Sequence, residues 1–561
     1  MLQENLIKMF EVSFREHHDL PALTDYFGKD SLSYFEMSEK IARLHLLFEE
    51  YGIQKGDKIA LIGRNNVNWC VTYIAVVTYG AVIVPILQDF NPADVENIIT
   101  HSESRLLFVG DIYWQTLDSD RMADLEAAVI VNNFSLAYEK EGDKFAQLLS
   151  TWEADFAAKY PAGFSIEDIK YPEVPNEQMI LLNYTSGTTG SSKGVMLSVN
   201  NLTGNMVFAR DMKKPNSDDY YFYPGGRSLS FLPLAHAYGC AFDFLAQLVV
   251  GGHITLLGKM PSPKILVDAM KNVKPTVICS VPLILEKVYR KMIMPMLEQG
   301  PMSIAMKIPF INTALYSIIR MKLMESFGGE AQIFIVGGAP MNQETESFLR
   351  KINFPLTIGY GMTECGPLIS YEHPEYFKSG SCGRYLPGIM EAKIVSKDPH
   401  NIPGEILVKG ENVMMGYYKN AEATNAVLEP DGWLHTGDMG IMDPDGTIYI
   451  KGRCKTMILT GSGQNIYPEE IEDKLNNLPL VMESLVVERK NVLTALIFPD
   501  YDQAKQEGID AEQLDKMMAE NITILNKMVA SYERVGRYEL MQSEFEKTPK
   551  RSIKRYLYQD K

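Results

Sequence analysis

The chain of 561 residues has little cysteine, and what it has is scattered. Cys70, Cys240, Cys279, Cys365, Cys382 and Cys454 form no CxxC pair and no His/Cys cluster. That excludes a disulfide framework and a zinc-ribbon type of site, and points to free thiols in a reducing compartment. Positive charge is in deficit: 54 Lys and Arg against 71 Asp and Glu leave a net charge of −17. A general nucleic-acid or anionic-membrane surface is therefore not expected. A secretory signal is not expected either, because MLQENLIKMFEVSFREHHD sets Leu2, Leu6, Met9 and Phe10 at helical spacing among charges, the pattern of an amphipathic helix. Trp69 to Leu87 is an uncharged run of bilayer-crossing length. Gly80 divides it, and the half beyond is β-branched and ends at a proline, so a buried helix followed by a buried parallel strand is expected, with no transmembrane segment.

What is present is ordinary for a globular protein, with 46% apolar and 22% charged residues. The length demands several domains. From Ala22 onward strand, helix and strand alternate. Ser33 with Glu36 predicts a capping box, Gly52 the end of that helix, and IALIG the next strand. The rhythm continues through the strand AVIVN and a charged helix near residues 138 to 158. The fold class is α/β, with mostly parallel sheets.

The most informative stretch is Tyr184–Gly194, YTSGTTGSSKG, between an apolar strand and a strand that leads into a helix. Glycines expose backbone N–H groups, Thr185, Ser186, Thr188 and Thr189 add hydroxyl donors, and Lys193 adds a point charge: an anion cradle. It departs from the P-loop NTPase pattern, since Ser192 stands where that motif has its second glycine. A second set of small residues follows the strand AQIFIV as Gly337, Gly338 and Ala339, which let a flat ring lie against backbone. A third, TIGYGMTECGP, carries Gly359, Tyr360, Gly361, Thr363 and Glu364. Strand C-terminal ends are where open α/β sheets bind ligands. A glutamate beside phosphates needs a cation between them, so Glu364 implies Mg²⁺. His236 follows a proline turn at the end of another strand. Residues 292 to 324, rich in methionine with Ile308, Ile311, Leu315, Ile318 and Ile319 at helical spacing, read as core packing; an acyl tunnel or a membrane-touching face is the alternative.

The order Tyr-Thr-Ser-Gly-Thr-Thr-Gly-x-x-Lys-Gly resembles the signature of the adenylate-forming enzymes. TGD at Asp438, GRCK at Arg453 and Lys455, and the basic tail follow in that family's order. The chain is most similar to long-chain fatty acid–CoA ligases. The resemblance implies a large N-terminal domain over residues 1–454, with parallel sheets and a β-rich piece, and a small mobile α+β C-terminal domain over residues 455–561, turning about Lys455. It implies that ATP is held by Thr185, Ser186, Gly187, Thr188, Thr189, Gly190, Lys193, Gly337, Gly338, Ala339, Gly359, Tyr360, Gly361 and Thr363, with Asp438 and Arg453 on the ribose. Mg²⁺ falls to Thr185 and Glu364, the acyl group to His236, Gly337 and Gly361, and KPTVICSVPLILEKVYRK lines the acyl pocket. Thr363 and Glu364 count among the catalytic residues.

The tail departs from the family. Aligning Arg555 puts Ser552 where a catalytic lysine is expected in EKTPKRSIKRYLY, so Lys554 or Lys550 is expected to take the part, from one face of an extended segment. Val199 is a lesser departure. The implied partners are a fatty acid, ATP and CoA; an acyl carrier protein is the alternative acceptor, an aryl acid the alternative substrate. A non-catalytic nucleotide- or acyl-binding protein is the alternative of another class. A fused carrier domain is not expected, and the implied location is cytoplasmic, with peripheral membrane contact as the variant.

Overall fold

A computed structural model describes residues 2–28, 30–186, 192–298, 311–459, 465–490, 492–548 and 552–559. Its local structure follows short-range chemistry closely. The helix Tyr34–Tyr51 starts at a full Ser33/Glu36 capping box and stops at Gly52, whose φ of 96° is left-handed. The helix Val67–Tyr79 is capped by the Asn66 side chain and ended by Gly80 at φ 88°. The strand Val82–Ile86 that follows is buried at every position, so the uncharged run is interior protein. No helix among the described residues is long and apolar enough to cross a membrane.

That strand lies inside an eight-stranded sheet. In spatial order the strands are Gly416–Tyr417, Ser192–Ser198, Met179–Ser186, Val82–Ile86, Lys58–Ile62, Ser104–Val109, Ala127–Ile130 and Ser135–Glu139. The centre is parallel, whereas Ser192–Ser198, Gly416–Tyr417 and Ser135–Glu139 run antiparallel to their neighbours. The last of these corrects the expected helix near 138. Residues up to Glu139 pair with Ala127–Ile130, and the helix begins at Lys144, where the Glu139 carboxylate accepts from the N–H groups of Phe145 (2.7 Å) and Ala146 (3.1 Å). A carboxylate at a helix N-terminus satisfies donors the helix cannot.

A second, fully parallel sheet consists of Val277–Ser280, Ile333–Val336 and Leu356–Ile358. A further sheet joins Arg227–Ser230, His253–Leu256, Pro21–Asp25 and Ser31–Ser33. The β-rich piece is an antiparallel sheet of Met390–Val395, Gly404–Gly410, Leu434–Met442 and Ile448–Arg453. One apolar cluster runs from Leu6 to Ile448. Beyond it, the helices Pro468–Asn476 and Ala511–Met528 and the sheet Val481–Arg489, Val492–Pro499 and Arg537–Leu540 enclose separate clusters.

Of the methionine-rich stretch, Met302, Met306 and Ile308 lie outside the described residues. The helix Ile311–Ser326 buries Ile319 and Leu323 but leaves Ile318 44% and Met321 54% exposed.

Candidate functional site

Small residues follow the strands of the fully parallel sheet at its C-terminal edge. Gly337 N–H donates to Ser280 O, and a Cβ there would stand 3.6 Å from both Gly359 O and the Tyr238 ring. A Cβ on Gly361 would be 2.2 Å from Pro367 O, so only glycine fits. Gly338 has φ of 84° and, like Ala339, is exposed. His236 sits at half burial, accepting from Tyr238 N–H at Nδ1 (3.3 Å), and Tyr238 lays its ring over Gly337 and donates to Ile335 O. The structure thus brings His236 and Gly337 to one edge through Tyr238, at the start of the π-helical turn Gly239–Leu245.

From the same edge, buried Tyr360 donates its hydroxyl to Asp438 Oδ2 at 2.6 Å, and Arg453 Nε meets Asp438 Oδ1 at 2.8 Å. Asp438 and Arg453 are direct partners across an antiparallel ladder, which explains why these distant residues pair. Burial raises the Asp438 carboxyl above its usual value, an effect the Arg453 guanidinium opposes, while Asp438 holds Arg453 charged. Asp438 is 4% exposed, whereas the Arg453 side chain is 62% exposed. The pair is a rigid carboxylate with an outward-facing cation, suited to a diol.

The anion cradle belongs to the hairpin Met179–Ser186 and Ser192–Ser198, with Thr185 directly opposite Lys193. Gly187, Thr188, Thr189 and Gly190 lie outside the described residues. Lys193 Nζ stands 4.8 Å over the ring of Tyr417, and the Tyr417 hydroxyl donates to Glu364 Oε1 at 2.9 Å. Met414 N–H donates to Glu364 O. The segment Met414–Tyr417 therefore ties the hairpin to the Thr363–Cys365 turn, in which Thr363 is buried. Glu364 lies close enough to Asp438 and Arg453 to perturb both. Lys193, Glu364, Tyr360, Asp438 and Arg453 thus belong to one surface.

The tail is arranged differently from the expected extended segment. Lys547 and Ile553 pair across an antiparallel bridge and Thr548 N–H donates to Ser552 O, so the chain folds back on itself. Lys550 lies outside the described residues. Lys554 Nζ is 3.6 Å from Glu546 of the same tail, and Arg555 binds buried Glu472 through both Nη atoms at 2.8 Å. Lys455 is exposed, after the strand that carries Arg453.

Tyr417 and Glu469 were not expected at the site. Glu469 accepts from Thr456 at Oε1, its Oε2 is buried beside Gly452 with no hydrogen-bond partner among the described residues, and it perturbs Asp438. Nothing in the sequence around Tyr417 says which strand its segment joins. Among the described residues no group of three or more His, Cys, Asp or Glu side chains could hold a metal. A hydroxyl and one carboxylate, Thr185 and Glu364, are hard oxygen donors that suit Mg²⁺ when phosphates supply the other ligands.

A family model described as AMP-binding enzyme matches residues 10–418. Long-chain-fatty-acid–CoA ligase 5 of Rattus norvegicus is 29% identical over 517 residues, spanning 84% of this chain and 71% of that protein. A long-chain-fatty-acid–CoA ligase of Escherichia coli O6:H1 is 27% identical over 514 residues, spanning 86% and 83%. Among solved structures, ATP-bound MatB from Rhodopseudomonas palustris superposes with a TM-score of 0.76 at 24% identity, over 99% of each chain.

Proposed function

Because this chain belongs to the AMP-binding enzyme family, we propose that it activates a carboxylic acid as its acyl-adenylate and passes the acyl group to the thiol of CoA. The acid's carboxylate attacks the α-phosphorus of ATP and pyrophosphate leaves; the thiol sulfur then attacks the acyl carbon and AMP leaves. The observation that carries this reading is the convergence of Lys193 and Glu364 on Tyr417, beside the Tyr360–Asp438–Arg453 group. In it the hairpin residues Thr185, Ser186 and Lys193, with Gly187, Thr188, Thr189 and Gly190, hold the β- and γ-phosphates. Gly337, Gly338, Ala339, Gly359, Tyr360 and Gly361 flank the adenine, and Asp438 with Arg453 takes the ribose hydroxyls.

Bringing an anionic acid to an anionic nucleotide requires charge neutralisation by prearranged groups. Lys193 supplies one cation; Thr185 and Glu364 would hold Mg²⁺, which neutralises phosphate charge when bound. His236 and Gly337 border the acid. The relatives' names make a long-chain fatty acid the favoured substrate; the cytoplasm is the working place this reading takes. Residues 455–561 act as a unit that turns about Lys455 between the two half-reactions, and Lys554 or Lys550 stabilises the adenylation transition state from the tail.

Pyrophosphate release with ATP and a panel of fatty and aryl acids tests the first half; adding CoA or acyl carrier protein tests the second. Release with long-chain acids and thioester formation with CoA are expected. ATP binding without turnover of any acid would leave a nucleotide-binding protein, and release with aryl acids alone would replace the fatty acid.

A further inference from the structure

Side chains along a strand alternate between faces. Thr185 and Lys193 are opposite one another in the hairpin, and so are their neighbours Tyr184 and Gly194, on the other face. The edge strand continues the alternation: Tyr417 faces Lys193 and Glu364, whereas Tyr418, whose N–H donates to Gly194 O at 2.8 Å, belongs to the back. The front carries the charged site groups; the back carries a closed set of contacts with no part in the reaction so far.

Its centre is His101, in the last turn of the helix Pro92–Ser102. The Tyr184 hydroxyl and His101 Nδ1 are 2.7 Å apart, and the imidazole stands edge-on to the rings of both Tyr184 and Tyr418 at 5.8 Å. Glu103, the left-handed residue that ends this helix, accepts from the Tyr418 hydroxyl at 2.9 Å and from Lys419 Nζ at 2.8 Å. Lys419 Nζ also donates to His101 O. Gly194 completes the fit, because a Cβ there would be 3.1 Å from Tyr184 Cζ and 2.9 Å from Leu182 Cδ1. Tyr184 is 3% exposed, and burial keeps its phenol protonated; burial, and then Lys419, keeps His101 neutral. A neutral imidazole and a protonated phenol are the pair that forms this bond without burying a charge.

We propose that His101 is a positioning residue for the adenylation half-reaction: through Tyr184 it fixes the back of the hairpin, and with it the direction in which Thr185 and Lys193 meet the triphosphate. This rests on the reading of Thr185 and Lys193 as phosphate-holding residues. A strand cannot turn Thr185 without turning Tyr184, so an anchor at Tyr184 limits the play of the adjacent residue, and small misplacements of reacting groups cost large factors in rate.

The test uses the full chain with His101→Ala, His101→Asn and Tyr184→Phe. Acid-dependent ATP–pyrophosphate exchange is compared with thioester formation from preformed acyl-AMP, alongside the melting temperature. His101→Ala and Tyr184→Phe should lower kcat/KM for ATP in exchange by about tenfold, mainly through KM, and leave thioester formation within about twofold. His101→Asn, whose amide reaches where Nδ1 stood, should recover most of the loss. Tyr184→Phe keeps the ring and removes only the bond, so exchange at the wild-type KM in that variant would overturn the proposal, as would parallel loss in both halves with a lowered melting temperature. If the wild type shows no exchange with any acid, the functional reading fails separately. ATP affinity by calorimetry then decides the positioning role: weaker binding by His101→Ala supports it and equal binding overturns it.

Discussion

At the scale of single residues, Asp438 has the most to lose. It accepts from Tyr360 and pairs with Arg453 while almost wholly buried. Asp438→Ala strands a buried phenol and frees the guanidinium, and should lower kcat/KM for ATP in pyrophosphate exchange by about 100-fold, roughly 3 kcal/mol. Asp438→Asn keeps an acceptor for Tyr360 and loses the charge, so its loss should be smaller; equal losses would mean that the Tyr360 hydrogen bond contributes nothing and the charge facing Arg453 carries the whole effect. The tail makes a second residue-scale prediction: Lys554→Ala or Lys550→Ala should slow acyl-AMP formation by at least about tenfold. If neither does, the missing lysine at Ser552 has no substitute in the tail. Asp438 and Arg453 were named through the family resemblance, and Glu364 through the chemistry of a carboxylate beside phosphates. Tyr417 and Glu469 were not, since each reaches the site through a long-range pairing: an edge strand laid beside Val195, and a helix docked on Gly452.

At the scale of elements, caps and breakers were readable because they act over three or four residues. Ser33, Gly52 and Gly80 mark the ends they were expected to mark. Residues 135–139 were not, because their choice of strand over helix depends on an available sheet edge. The helix Pro468–Asn476 carries a testable electrostatic strain. Its Asp473 has a carboxyl pushed up to about 6, first by burial and then by Glu286, whose own carboxyl burial also raises. Asn342 lies between them, donating its N–H to Glu286 and its side-chain amide to Asp473, and Arg290 offsets the two carboxylates only in part. The folded-state value lies above the unfolded value of 3.8, so the folded chain takes up this proton first. Ionised Asp473 therefore weighs against folding above pH 6, and the burden lifts as pH falls through about 6 toward 4. After allowance for solvent screening it is about 1 kcal/mol. Asp473→Asn should accordingly raise the melting temperature by a few degrees at pH 8 and by almost nothing at pH 4. A gain of the same size at both pH values would assign the effect to packing.

At the scale of the whole molecule, the apolar clusters beyond Ile466 are separate from the one that ends at Ile448. Among the described residues, polar contacts join these parts. Arg290 donates to Asn476 O at 2.7 Å, Asn342 donates to Asn477, and Lys451 meets Glu470 at 3.0 Å. Polar contacts are those across which domains move. The proposed division of labour gives opposite expectations for two positions. Lys193 touches only the first half-reaction, so Lys193→Ala should lower pyrophosphate exchange by at least about tenfold and leave thioester formation from preformed acyl-AMP within about twofold. Lys455 stands at the crossing between the parts, where a proline ring would fix φ near one value. Lys455→Pro should leave exchange near wild type if the present arrangement serves adenylation, and slow thioester formation by about tenfold or more. The crossed pattern is the informative result, because general damage to the fold lowers both halves together. Loss of both halves in Lys455→Pro at an unchanged melting temperature would mean that residues 455–561 do not change place between the steps.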